Sequence, residues 1–138
     1  MKKENIKIRS QCPVSISLDF FGDKWTLLIL RDIIFMKKRY FRDFLASDEK
    51  IATNILTSRL RLLVDADIII SEKDPNNAKQ KIYTITQKGA DLIPVLIELI
   101  LWGEKYGDSS APKEFIEEAK NDRENLIKKV QNSIEISK

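Results

Sequence analysis

Thr53, Asn54, Thr57, Ser58 and Arg61 are spaced so that a helix would gather them on one side. With Leu56 as the origin of a helical wheel, Leu60 and Leu63 share its face, at the i, i+4, i+7 spacing of an amphipathic helix. Residues 51–67, IATNILTSRLRLLVDAD, thus have a leucine back and a front of Asn54, Ser58, Arg61 and Asp65, flanked by Thr53 and Thr57. Short Thr, Asn and Ser side chains cost helix propensity, and a merely solvated front usually carries Lys and Glu paired at i, i+4. A front of short hydrogen-bonding groups suits base edges in a major groove. There Asn pairs with adenine, Arg with guanine, and a Thr methyl meets a thymine methyl. An ordinary surface helix of a globular domain is the alternative this stretch leaves open.

The elements around this stretch favour the first reading. Residues 12–21 read as a short helix opened by Pro13, which suits a first helical turn, and stopped near Gly22. Residues 23–36, DKWTLLILRDIIFM, read as a helix capped by Asp23, with Trp25, Leu28, Ile29 and Ile33 as a stripe. The basic connector Lys37, Lys38, Arg39 leads to a short helix over 40–47, with Phe41, Phe44 and Leu45 inward. A turn at 48–50 then precedes the 51–67 helix, so the pair makes a helix-turn-helix. Beyond Asp67 the period becomes extended: Ile68–Ile70 and residues 81–86, KIYTIT, read as strands joined by a turn at Asp74, Pro75, Asn76 and Asn77. That hairpin is a wing, with Lys73, Lys79 and Lys81 near its tip. They could meet phosphates or simply be solvated.

After a Thr86 cap, the run from Ala90 to Gly107 is apolar on almost every side and reads as one helix bent at Pro94. A domain this small has little interior for it, so a partner subunit is its natural cover. Residues 113 to about 134 read as a final helix of balanced charge with Leu126, Val130 and Ile134 at i, i+4, i+8, suited to packing or bracing a dimer.

Composition narrows the chemistry. The chain has 138 residues, no histidine, one cysteine and a formal net charge of +3. This length fits one domain with room for a tail. The composition removes the commonest general base and zinc ligand, and permits a nucleic-acid partner without demanding one. No metal, no cofactor and no enzymatic activity are expected. The longest apolar run is too short to span a bilayer, so no membrane partner is expected and a soluble cytoplasmic protein is the default.

Six stretches in order carry a resemblance over roughly residues 12–107: Cys12-Pro13, GDKWTLLILRDI at 22–33, RYFRDF at 39–44, ILTSRLRLL at 55–63, YTITQKG at 83–89 and LIPVLIELILWG at 92–103. The chain resembles the HxlR family of bacterial winged-helix transcription regulators, relatives of the MarR group. The resemblance implies a mainly α fold with a small β-hairpin wing (α+β) and a homodimer formed through N- and C-terminal helices. It implies binding to a double-stranded operator, with the 51–67 helix in a major groove. The expected divisions are a flexible basic arm (1–11), the winged helix-turn-helix with its dimerisation helices (12–107) and a C-terminal extension helix (108–138). The chain departs from the family pattern at Ala52, where Ser usually caps the recognition helix, so Thr53 is the substitute cap. It also departs at Asp67, usually Gly, at Ser71 and Glu72, where a basic residue is common, and in a wing that reads as short.

Base readout is therefore expected from Thr53, Asn54, Thr57, Ser58 and Arg61. Phosphate contacts are expected from Lys37, Lys38, Arg39, Arg42, Lys73, Lys79 and Lys81. Cys12 matches a position that several family members use to sense oxidants or electrophiles; a buried packing role is the alternative. The effector is left unidentified. A winged helix that binds protein rather than DNA is the competing function.

Overall fold

The computed structural model describes residues 6–137. Helices α1 (Pro13–Phe21), α2 (Lys24–Ile34), α3 (Phe41–Leu45) and α4 (Thr53–Asp65) lead into a hairpin of β1 (Ile69–Asp74) and β2 (Asn77–Thr86). Helices α5 (Gln87–Ala90), α6 (Ile93–Tyr106), α7 (Lys113–Asn121) and α8 (Arg123–Ser133) follow, and a two-residue strand β3 (Ile136–Ser137) closes the order. This is the expected mainly helical architecture with a small wing. Of the expected arm, residues 1–5 lie outside the described residues. Residues 6–11 form no regular element, though Ile6 packs on the core and Arg9 donates to both carboxylate oxygens of Asp19.

Local chemistry sets the helix ends. Asp23 accepts from the backbone N–H groups of Trp25 and Thr26, at 2.7 and 3.2 Å, and from the Thr26 hydroxyl, so it caps α2 as its sequence position suggests. At Gly22, which ends α1, a Cβ would stand 2.4 Å from the Leu18 carbonyl oxygen, so this corner needs glycine for space. Helix α4 starts at Thr53 with Ala52 in the capping position and no side-chain cap. Thr53 does not substitute: its carbonyl instead accepts the Thr57 hydroxyl at 2.9 Å. The other end of α4 is well closed. Asp67 takes left-handed backbone geometry (φ 61°), the Ile68 N–H reaches the Leu63 carbonyl and the Asp67 N–H reaches that of Val64. These are the two bonds of a Schellman motif, with aspartate in the place glycine usually fills.

The core is built from Leu30 and Ile34 of α2, Phe44 of α3, Leu56, Leu60 and Leu63 of α4, Ile69 and Ile85 of the hairpin, and Ile93 and Ile97 of α6. Of the α2 stripe, which Leu27 and Leu30 widen in the sequence, Ile29, Leu30 and Ile33 are buried as expected; Trp25 and Leu28 are only half-buried, and Ile34 is fully enclosed beside them.

Three expectations are corrected. Pro94 does not bend a long helix. It lies in the first turn of α6, where its missing N–H has no intrahelical partner to lose, and a separate turn, α5, precedes it. The final helix breaks at Asp122 (φ −150°, ψ 65°), whose carboxylate caps α8 through the Asn125 N–H, so a short acceptor side chain ends one helix and starts the next. The wing is longer than its sequence suggests. Ile69 to Lys73 pair with Ile85 to Lys81, and the register shifts only at Asp74. The Asp74 carboxylate accepts from the Asn76 N–H at 3.0 Å and from the Tyr40 hydroxyl at 3.2 Å, fixing the turn. Strand β3 then adds to β2 in parallel, Ile136 opposite Ile85.

A charged cluster pins the segment between α2 and α4. Asp32, 2% exposed, accepts from Arg31 at 2.7 and 3.0 Å and from the Ser47 hydroxyl at 2.5 Å. Lys38 lies 3.5 Å from the same carboxylate and donates to Ser47 at 2.7 Å. Arg31 also forks onto both oxygens of Glu49, at 2.7 and 2.8 Å, in the turn before α4. That guanidinium holds the Glu49 carboxyl at about 2, against an ordinary 4.5. A carboxyl depressed on folding contributes stability above its unfolded value, and the contribution is lost as pH falls through its folded one. Between pH 4.5 and about 2 the urea midpoint should therefore fall more steeply in the wild type than in Glu49→Gln. Equal acid slopes in the two proteins would remove Glu49 from this account.

Candidate nucleic-acid interface

Burial of Leu56, Leu60 and Leu63 turns the other side of α4 outward, and Thr53, Asn54, Thr57, Ser58 and Arg61 are all exposed. The side chains of Asn54 and Arg61 make no hydrogen bond among the described residues, whereas Ser58 accepts from Arg59 Nη1 at 3.2 Å. Arg59 is not a reader. Its Nε donates to Asp23 Oδ2, so it ties α4 to the start of α2. Burial works to raise the Asp23 carboxyl, but the backbone donors of Thr26 and Trp25 and the Arg59 guanidinium outweigh it and leave Asp23 below the usual carboxylate range.

The wing stands beside this front. Thr57 and Arg61 share a groove of about 190 Å³ with Lys81 of β2, floored by Phe41, Leu60 and Tyr83. A neighbouring groove of about 400 Å³ adds Arg42 and Lys79 around the same two aromatic rings. Arg42 lies over the Tyr40 ring at 4.9 Å and donates to Gln80 at 2.5 Å, linking α3 to the wing. Lys79 and Lys81 are two residues apart on one strand, and Lys73 is directly opposite Lys81, so the three ammonium groups share a face of the hairpin. Like charges placed opposite each other destabilise a hairpin by a few tenths of a kcal/mol, up to about 1, and none of the three makes an ion pair among the described residues. The result is a cationic rim, formed by Arg42, Arg61, Lys79 and Lys81 with Lys73 beside them, next to an uncharged front.

The connector cations go elsewhere. Lys37 donates to the Ile34 carbonyl at 2.8 Å and the Ser133 hydroxyl at 2.7 Å, and burial pushes its ammonium below the ordinary lysine value. Lys38 belongs to the Asp32 cluster. Arg39 lies 3.9 Å from Glu135, while its carbonyl accepts the Tyr83 N–H. The structure thus brings Thr57, Arg61, Arg42, Lys79 and Lys81 together and directs Lys37, Lys38 and Arg39 to the buried cluster and the C-terminal segment. Reading the sequence missed Arg59 and the Asp32 cluster. The available signal for Asp32 was a charge set among the apolar residues Ile29, Leu30, Ile33 and Ile34.

Cys12 is exposed at the start of α1, its N–H on Ser10 Oγ at 3.3 Å, so the thiol does not pack into its own chain. Two apolar faces also lie open. Val14 and Leu18 of α1 are 66% and 49% exposed, and Leu99, Trp102 and Tyr106 of α6 are 48%, 68% and 65% exposed. Among the described residues no cluster of histidine, cysteine or carboxylates could hold a metal ion, and no helix is long and apolar enough to cross a membrane.

The sequence profile of the HxlR-like helix-turn-helix family matches residues 20–111. The chain is 38% identical over 98 residues to YdeP of Bacillus subtilis (strain 168), an uncharacterized HTH-type transcriptional regulator, covering 70% of this chain and 75% of that protein. It is 33% identical over 93 residues to the uncharacterized HTH-type transcriptional regulator Mb3122 of Mycobacterium bovis, of which it spans 58%, with 67% of this chain covered. Among solved structures it is similar to PA1607, a candidate transcription factor, with a TM-score of 0.66 and 34% identity over 76% of this chain and 72% of that one. It is also similar to the reduced form of the transcriptional regulator YodB from Bacillus subtilis, with a TM-score of 0.56 and 25% identity over 72% of this chain and 97% of that one.

Proposed function

This chain belongs to the HxlR-like helix-turn-helix family, and from that premise we propose that two copies of it bind a double-stranded operator, each laying α4 in a major groove with the wing on the flanking backbone. The observation that carries this is the pairing of an exposed, mostly uncharged Thr53, Asn54, Thr57, Ser58 and Arg61 front with unpaired cations on the adjoining wing. The front has the groups to read base edges and the rim has the charge to meet phosphates; phosphates position a protein and bases specify its site. In this reading the phosphate contacts come from Lys73, Lys79 and Lys81, with Arg42 beside them 4.0 Å from Asp43, more than from Lys37 and Lys38, whose ammonium groups are engaged within the fold, and Arg39, which faces Glu135. The open faces of α1 and α6 support a homodimer, because exposed Leu18, Leu99, Trp102 and Tyr106 would be covered by a second copy. In this reading the chain acts in the cytoplasm of a bacterial cell and binds DNA without a catalytic step.

Cys12 fits a regulatory role in the same reading. An exposed thiol at the positive end of α1 is open to modification, and a chain with one cysteine can form a protein disulfide only with a second chain. Oxidation with diamide should lower operator affinity in the wild type and leave Cys12→Ser unaffected; an equal response in both proteins would end this role.

Operator binding is tested by gel shift on the DNA upstream of the protein's own coding region, with a scrambled competitor. Affinity for the true site should fall steeply with salt. Arg61→Ala or Asn54→Ala should each cost about 1–3 kcal/mol on that site and little on random duplex, with unchanged thermal melting because both side chains are exposed. Equal losses on both duplexes would contradict base readout by α4. No retention of any duplex would favour a protein partner for the wing.

A further inference from the structure

One carboxylate in this molecule has no explanation in the fold. Glu104 Oε2 on α6 is shielded from solvent and has no hydrogen-bond partner among the described residues. Such an oxygen is costly to keep, and native proteins satisfy nearly all of them. Glu104 lines a groove of about 650 Å³ between the end of α2, the α6 helix and the segment leading into α7. That lies within the roughly 300–1,000 Å³ of small-molecule sites.

The groove's chemistry is specific. Its walls include Met36, Ile100 and the edge-to-face pair Phe35 and Phe115, whose ring centres are 5.8 Å apart. Among the described residues that line it, Glu104 and Asp108 are the carboxylates and Arg31 the one cation, and Arg31 already spends its guanidinium on Asp32 and Glu49. Gly103 adjoins open space, since a Cβ there would meet nothing within 4 Å. We propose that this groove binds a small molecule with an aromatic body and a single cationic amine, the ring against Phe35 and Phe115 and the ammonium on Glu104. The terminal torsion of a glutamate is soft, so a small turn of the half-buried side chain presents the orphan oxygen to a donor seated in the groove. A second copy of the chain is the competing occupant. The bulky exposed side chains of α6, Leu99, Trp102 and Tyr106, follow their own i, i+3, i+7 line, whereas the groove is walled by the chain's own α2, α6 and α7.

The test is calorimetric titration of the full chain, without DNA, using naphthylmethylamine and its neutral analogue naphthylmethanol. The amine should bind the wild type at least tenfold more tightly than the alcohol. Glu104→Gln, which keeps the side-chain shape, should weaken the amine at least tenfold and abolish that preference. Gly103→Leu should block both ligands by filling the groove. If Gly103→Leu does not fold, the Glu104→Gln comparison alone decides. Equal affinity for amine and alcohol, no saturable amine binding, or unchanged amine binding in Glu104→Gln would each overturn the proposal. A Glu104→Gln protein that keeps its amine affinity but loses self-association would assign the groove to a second copy. None of these results touches operator binding, which the gel shift reads separately.

Discussion

The molecule depends on burying one leucine stripe. Leu56 and Leu63 are fully enclosed and Leu60 is 2% exposed, so α4 has a single rotation that satisfies all three. Truncating any one of them would cost about 2–5 kcal/mol, a large share of the stability of a domain this size. That constraint is why the Thr53, Asn54, Thr57, Ser58 and Arg61 front faces outward: the hydrophobic back chooses the orientation and the polar front inherits it. The helix is also locked against sliding. Arg59 holds the Asp23 cap of α2, and the Schellman closure at Asp67 fixes where the chain leaves for the wing.

Charge is used in two opposite ways. Around α2 the carboxylates of Asp23, Asp32 and Glu49 are all engaged by Arg59, Arg31, Lys38 or backbone N–H groups, and these contacts position the turn before α4. Breaking such a cluster leaves a buried charge without its partner, which costs far more than an exposed pair contributes. On the wing the cations are left open and even opposed, Lys73 across from Lys81. An arrangement that tolerates self-repulsion on its wing while engaging the carboxylates around α2 is suited to meeting a polyanion.

Much of this was readable from residue order because local chemistry and tertiary packing agree there. The α4 stripe, the Asp23 cap, the Asp74 to Asn77 turn and a left-handed Asp67 each follow from a spacing or a side-chain preference within a few positions. The failures have a common physical cause. Pro94 and Asp122 act as helix starters rather than as a bend and a passenger, a choice decided by which backbone N–H groups lack partners once neighbouring turns are packed. Strand β3 joins residues roughly fifty positions apart, and Lys37 and Arg39 meet the C-terminal segment roughly a hundred positions away; periodicity carries no information at that range. For the candidate site, the reading face was legible from a helical wheel. The division of the nearby cations into structural and available ones was not, because a lysine's partner depends on tertiary distance.

Methylation interference on the operator probes the placement of α4 most directly. Dimethyl sulfate modifies guanine N7 in the major groove and adenine N3 in the minor groove. Two clusters of guanines about one duplex turn apart, roughly 34–36 Å, should block binding when methylated, and the interfering guanine opposite Arg61 should fall silent in Arg61→Ala. Interference confined to adenines, or a guanine pattern that Arg61→Ala leaves unchanged, would mean that this face of α4 does not read the bases.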